Sequence, residues 1–185
     1  MLFMEEKTGL FTDLYELTMA QGYFYSGKQS DQATFEYFFR NNPFQGGFTV
    51  FAGLSDFLDM LREFSFSNSD LQYLEDQGFR KGFLAFLADF RFSGNISSVK
   101  EGELVFPYEP VVKVEGDIIG CQLIESMLLN ILNFESLIAT KAYRIKQAAG
   151  DRPFSDFGMR RAQGLAAIHA SRAAVIGGAS STSNV

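Results

Sequence analysis

The stretch after Gly150 restricts the fold more than any other. DRPFSDFGMRR reads as a short apolar strand, RAQGLAAIHASRAA as a helix, and AVIGGASSTSNV as a strand, at 174–177, running into a turn. A β-α-β rhythm of this kind needs parallel strands, because only a helix-length crossover carries the chain back to the starting end of a sheet. One such unit cannot bury its own faces. The pattern therefore points to an α/β sheet or barrel with further units to come.

Upstream the grain is different. TDLYELTMAQGYFY (12–25) reads as a helix capped by Thr12 or Asp13, with Glu16 placed where the helix dipole favours a carboxylate. Leu10, Leu14, Leu17 and Phe24 form one apolar stripe, and Phe11, Tyr15, Met19 and Tyr23 a second. A helix apolar on two sides has a face for its own core and another for a partner. ATFEYFFR (33–40) alternates as a strand, NNPFQGG (41–47) has turn chemistry, and FTVFAGL (48–54) is a second strand. Residues 55–64, 69–77 and 80–90 read as short amphipathic helices, with Ser55 and Ser69 as caps. Glycines and prolines divide 94–116 into short strands, and 117–149 is a long helical region expected to break near Asn133–Ser136. The domain organisation expected is an α/β sandwich over 1–150, followed over 151–185 by the first part of an incomplete barrel.

Composition narrows the function classes. The chain has 185 residues, enough for one domain or one domain and part of another, and 21 phenylalanines to fill a core. A net charge of −6 argues against wrapping nucleic acid but leaves room for a small anionic substrate at a local basic cluster. One cysteine, Cys121, has no internal disulfide partner, which suits a reducing cytoplasm. The N-terminal MLFMEEKTG is acidic where a signal peptide is basic, and no apolar run reaches the ~18 residues of a membrane span. With one histidine, His169, beside that one cysteine, there is almost no basis for a Cys/His metal site; carboxylate-bound Mg²⁺ stays open.

Basic residues gather late in the chain: Lys141, Arg144, Lys146, Arg152, Arg160, Arg161 and Arg172. Arg160 follows a predicted parallel strand, at the end where α/β folds hold ligands, and its guanidinium suits a phosphate or carboxylate. The alternative is that Arg160 and Arg161 open a helix and are solvated. Phe157 is either a core residue or a platform for a ring. The DFG triplet has no glycine-rich loop or HRD stretch to make a kinase of it. The glycine, serine and threonine ending is a turn or an anion cradle. His169 has no carboxylate spaced along its helix to orient it, and no nucleophile–base pair can be read from spacing.

Several strings taken together carry a family resemblance: TDLYELTMAQGYF, ATFEYFFRNNPFQGGFTVFAGL, EGELVFPYEPVVKVEG, QLIESMLLNILNFESLIATKAYR, DFGMRRAQG and SRAAVIGGASSTSNV. In their order, from Thr12 to Val185, they closely resemble the nicotinate phosphoribosyltransferases. The resemblance implies a type II phosphoribosyltransferase with an N-terminal α/β sandwich and an irregular α/β barrel. Such enzymes join nicotinate to phosphoribosyl pyrophosphate in NAD salvage. They use Mg²⁺, couple ATP hydrolysis through a phosphohistidine, and act as homodimers that share active sites.

Carried onto this sequence, the resemblance gives Tyr15 the role of stacking on the pyridine ring across the dimer, with Asp13 beside it. Arg40 would contact phosphate, also across that interface. Phe157 would cover the other face of the ring, Arg160 would meet the anionic part of the substrate, and Ser183 and Asn184 would sit beside ring and ribose. Lys141 is a weaker candidate. Ser181 stands where a glycine is more usual, and His169 does not match the GT-x-x-HS stretch that carries the family's phosphorylated histidine. The chain is thus expected to be an N-terminal part, inactive alone, with 151–185 loosely packed or paired with another chain and the strand at 174–177 left as an unpaired edge. The alternatives are a non-catalytic oligomerisation or regulatory fragment, and quinolinate or nicotinamide transfer.

Overall fold

In the computed structural model, which describes residues 8–184, helix α1 (Leu14–Tyr25) follows Asp13, whose extended backbone makes it the N-cap. Residues 1–7, which make up most of MLFMEEKTG, and Val185, the last residue of the matching strings, lie outside the described residues. The chain continues through β1 (Gln32–Tyr37), β2 (Thr49–Val50), α2 (Leu54–Glu63), α3 (Asn68–Asp76), α4 (Lys81–Ala88), β3 (Gly94–Ser98), β4 (Leu104–Val105) and β5 (Val112–Asp117). It ends in α5 (Ile118–Ala149), β6 (Ser155–Asp156), α6 (Ala166–Ile176) and β7 (Ser181–Thr182). The class is mixed α/β, as the sequence pattern requires. Strands β1, β5 and β3 form one sheet in that order, β2 pairs antiparallel with β4, and β6 pairs parallel with β7.

The described chain forms two interleaved units. The first takes the residues up to Phe35, then Leu58–Ser97 and Lys113–Leu128. Its core is aromatic: Phe64, Phe66 and Phe90 meet edge-on at 5.9 to 6.4 Å, and Phe79 stacks on Phe83. Leu17 and Ala20 of α1 are buried, whereas Leu14 of the same stripe as Leu17 is exposed together with Tyr15 and Met19 of the other, so the buried face of the helix cuts across the two expected stripes. Helix α3 is capped by Ser67 rather than Ser69: the Ser67 hydroxyl accepts from Asp70 N and the Asp70 carboxylate accepts from Ser67 N.

The second unit comprises Glu36–Phe57, Ser98–Val112 and the residues from Leu129 onward. The long helix crosses from one unit to the other in sequence and is unbroken, contrary to the expected interruption near Asn133–Ser136. Those polar residues reach sideways instead of ending the helix. Asn133 accepts from the Tyr37 hydroxyl at 3.0 Å, the Ser136 hydroxyl accepts from Ala52 N at 3.0 Å, and the Thr140 hydroxyl accepts from Val50 N at 2.8 Å. The side chains of α5 thus satisfy a buried backbone edge that a neighbouring strand would otherwise serve. This explains why the strand expected over 48–54 shrinks to two residues.

An 18-residue window of α5 has a mean hydropathy of 1.3, enough by length and composition to cross a bilayer although polar residues interrupt its apolar runs. More than half of that window is buried inside the protein, and Gln122, Glu135, Ser136 and Thr140 are buried along the helix with it. It is a core helix.

The C-terminal β-α-β unit is present, but its second strand is β7 and not 174–177, which lies mostly in α6. The two glycines end that helix. Gly178 has φ +102, and a Cβ on Gly177 would lie 2.2 Å from the Ala139 carbonyl oxygen, so α6 can meet α5 closely only with glycine there. Ala139, Ala142, Ala173, Ala174 and Ala179 are buried around this crossing, so the expected loose packing of 151–185 is not found there. Alanine and glycine let the two backbones approach where larger side chains would hold them apart.

Candidate functional site

The register of β6 and β7 determines which side chains leave the sheet together. Asp156 pairs with Thr182, so Phe157 and Ser183 are the next residues out of two adjacent parallel strands, at their C-terminal ends. This is the ligand-binding end in α/β folds. The Ser183 N–H donates to the Asp156 carbonyl at 2.9 Å and continues the pairing. The Asp156 carboxylate then closes the turn by accepting from Gly158 N at 3.1 Å, which leaves the Phe157 ring 75% exposed. Behind the turn, the buried Ser171 hydroxyl of α6 donates to Asp156 at 3.1 Å and accepts from the Asn184 amide at 2.6 Å. Asn184 Oδ1 is buried with no partner.

Phe157, Ser183 and Asn184 are therefore brought together, with Asp156 and Ser171 as their supports. Arg160 lies exposed in the short 3₁₀ turn Met159–Arg161 just beyond. Lys141 lies on α5, exposed, and borders a cavity of about 590 Å³ with Phe134, Ile138, Asp156 and Arg161. Arg40 is exposed past the end of β1, in the same unit. Asp13 and Tyr15 belong to the first unit. The Asp13 side chain does not cap its own helix: its carboxylate accepts from the Ser126 hydroxyl at 3.1 Å, and its N–H donates to the same hydroxyl. The phenol of Tyr15 is pushed up to about 12 by the hydrogen bond and charge of the adjacent Glu16.

A second constellation, invisible to spacing, joins four elements of the second unit. Glu101 Oε1 accepts from Gly53 N at 2.7 Å and Leu54 N at 3.0 Å, so this glutamate, not Ser55, caps α2. Arg172 of α6 forks onto the same carboxylate at 2.9 and 2.5 Å and donates to Glu135 Oε2 at 3.2 Å. His169 also meets a carboxylate, contrary to expectation: its Nδ1 lies 2.6 Å from Asp56 Oδ2 and 3.6 Å from Glu135 Oε1. Burial pushes the Glu135 carboxyl up to about 8, and the neighbouring Asp56 carboxylate adds to the shift. Burial also raises Asp56 and Glu101, but the effect is outweighed. Hydrogen bonds with Glu135 and His169 bring Asp56 below the usual range, and Arg172 does the same for Glu101.

The sequence matches the family model for the nicotinate phosphoribosyltransferase (NAPRTase) N-terminal domain over residues 10–133, which is most of the chain. This chain belongs to the nicotinate phosphoribosyltransferase family. It is 48% identical to the nicotinate phosphoribosyltransferase of Bacillus subtilis over 185 residues, covering 99% of this chain and 38% of that one. The crystal structure of human nicotinic acid phosphoribosyltransferase superposes with a TM-score of 0.87 at 38% identity, over 94% of this chain and 36% of that one. A nicotinate-nucleotide pyrophosphorylase from Pyrococcus furiosus is similar at a TM-score of 0.77 and 27% identity, covering 97% of this chain and 39% of that one. The chain thus spans little more than a third of the length of these family relatives.

Proposed function

We propose that this chain is the N-terminal part of a cytoplasmic, homodimeric nicotinate phosphoribosyltransferase of NAD salvage. The reaction forms nicotinate mononucleotide and pyrophosphate from nicotinate and phosphoribosyl pyrophosphate, with ATP hydrolysed alongside. The observation that supports this reading is the placement of Phe157 beside Ser183 and Asn184 at the ends of two adjacent parallel strands, in a family member whose higher identity is to nicotinate enzymes. In this reading residues 1–150 supply the sandwich, and 151–185 the first strands of the barrel.

The chemistry asks the protein mainly to position its reactants. As pyrophosphate departs, the ribose becomes oxocarbenium-like and the pyridine nitrogen attacks it, so a ring and two anions must be held in line. Phe157 offers one flat face for the ring, and Tyr15 of a second copy the other. Arg160 pairs with the anionic group, Arg40 with phosphate, and Ser183 and Asn184 hydrogen-bond beside ring and ribose, with Asp13 and Lys141 at the margin.

Mg²⁺ takes near-octahedral oxygen ligands. Among the described residues the cluster of candidate ligand atoms, Asp56, Glu135 and His169, includes an imidazole, with Arg172 against both carboxylates. That set does not fit Mg²⁺, and no step is routed through it. ATP has no phosphate cradle among the described residues that would support a step either.

Product formation tests the reading. Alone, the chain has two short barrel strands where a closed barrel has about eight, so no turnover is expected. Fused to the part of the Bacillus subtilis relative that follows the aligned region, it should make nicotinate mononucleotide, and Arg160→Lys should lower kcat/KM more than Arg161→Lys. A folded fusion without product would reject the reading, and equal effects of the two substitutions would reject the role of Arg160. The exposed Leu14, Tyr15 and Met19 on α1 favour one other reading, a fragment that only associates with its own kind. Such a chain would dimerise without restoring turnover in the fusion.

A further inference from the structure

We propose that Asp56, Glu135 and His169 form a binding site for one divalent transition-metal ion of the Zn²⁺ class. None of the three is among Phe157, Ser183 and Asn184 at the strand ends. Three elements, α2, α5 and α6, each give one ligand atom, and the three atoms lie within 4.8 Å of one another. The supports are already built. Arg172 donates to Glu135 Oε2 and lies 3.7 Å from Asp56 Oδ1, so it engages the outer oxygen of each carboxylate and leaves Oε1 and Oδ2 facing His169 Nδ1. Arg172 is itself fixed by its fork onto Glu101. Outer partners that hold ligands in this way are the usual second layer of a metal centre.

The independent observation is Glu135 Oε1. The Glu135 side chain is fully buried, and this oxygen has no hydrogen-bond partner. A buried acceptor left unpaired is costly, and a cation between it and His169 would use it. The donor set selects the class: one imidazole nitrogen and two carboxylate oxygens suit Zn²⁺ or Co²⁺ better than Mg²⁺ or Ca²⁺. The His169 side chain is 34% exposed, which gives the ion a way in.

His169 is the single histidine of the chain, so its imidazole signals report the site without any mutation. The chelator-stripped 185-residue chain is titrated with ZnCl₂, followed by calorimetry and by the imidazole resonances, with CoCl₂ as a visible-absorption probe and MgCl₂ as the comparison. The expected result is one Zn²⁺ per chain, shifted His169 resonances, a Co²⁺ spectrum of low coordination number, and Mg²⁺ weaker by at least about a hundredfold. Asp56→Asn and His169→Gln should abolish saturable binding, and Arg172→Lys should weaken it by about 10–100-fold. Unmoved His169 resonances at saturating Zn²⁺ would overturn the proposal, leaving the cluster an ion-pair network only. Zn²⁺ binding that survives His169→Gln unchanged would do the same.

Discussion

Tyr15 and Glu16 are neighbours on α1 with opposite surroundings. The tyrosine ring is 55% exposed and free to meet another molecule, whereas Glu16 is fully buried and accepts from the Gln122 amide. The sequence placed Glu16 at the helix N-terminus for its dipole, and nothing local disclosed its burial, because Gln122 is 106 residues away. Burial is the main cause that pushes the Glu16 carboxyl above its ordinary value. The folded pKa thus exceeds the unfolded value of about 4.3, and ionised Glu16 is a burden on the folded state. Below that unfolded value the group is protonated in both states and the burden is absent. It grows as pH rises through the window between the two pKa values and is complete above the folded one. Glu16→Gln should therefore raise Tm relative to the parent at pH 7, with the advantage shrinking towards pH 4. A difference that stays constant across that range would reject burial of a charged Glu16 as the cause.

Element boundaries were legible where they depend on neighbours in sequence and obscure where they depend on distant partners. The start of α1 at Asp13 and the parallel rhythm of β6, α6 and β7 follow from capping and periodicity. The unbroken course of α5 does not, because Asn133 and Ser136 look like a helix break until Tyr37 and Ala52 are placed against them. The same contacts make a prediction. Ser136 serves both the N–H and the carbonyl of Ala52, and all these atoms are buried. Ser136→Ala leaves both groups without their partner and should cost about 1–3 kcal/mol, although alanine is the better helix former. Urea unfolding measures this directly. A gain in stability would mean that the hydroxyl contributes little beyond its effect on helix propensity.

For the molecule as a whole, Phe157, Ser183 and Asn184 were candidates through the family resemblance, and only Arg160 was picked out by its place after a strand. The Asp56–Glu101–Glu135–His169–Arg172 constellation was not legible, because its members come from widely separated segments whose meeting depends on the tertiary fold. That constellation and the alanine crossing hold α6 within the second unit. The amides of Ala173 and Ala174 should accordingly exchange slowly in the isolated chain, at rates near those of the buried turns of α5. Exchange as fast as in an unfolded peptide would show that the C-terminal segment is not held. The interleaving of the two units has a further consequence, for synthesis. The backbone edge at Val50 waits for Thr140, 90 residues later, and at ribosomal speeds of about 5–20 residues per second the gap lasts on the order of 5–20 s. Throughout that interval the β2 segment lacks the α5 hydroxyls that satisfy Val50 N and Ala52 N, even after β4 has emerged to pair with it, so chaperone demand during translation should fall fully only once α5 has emerged.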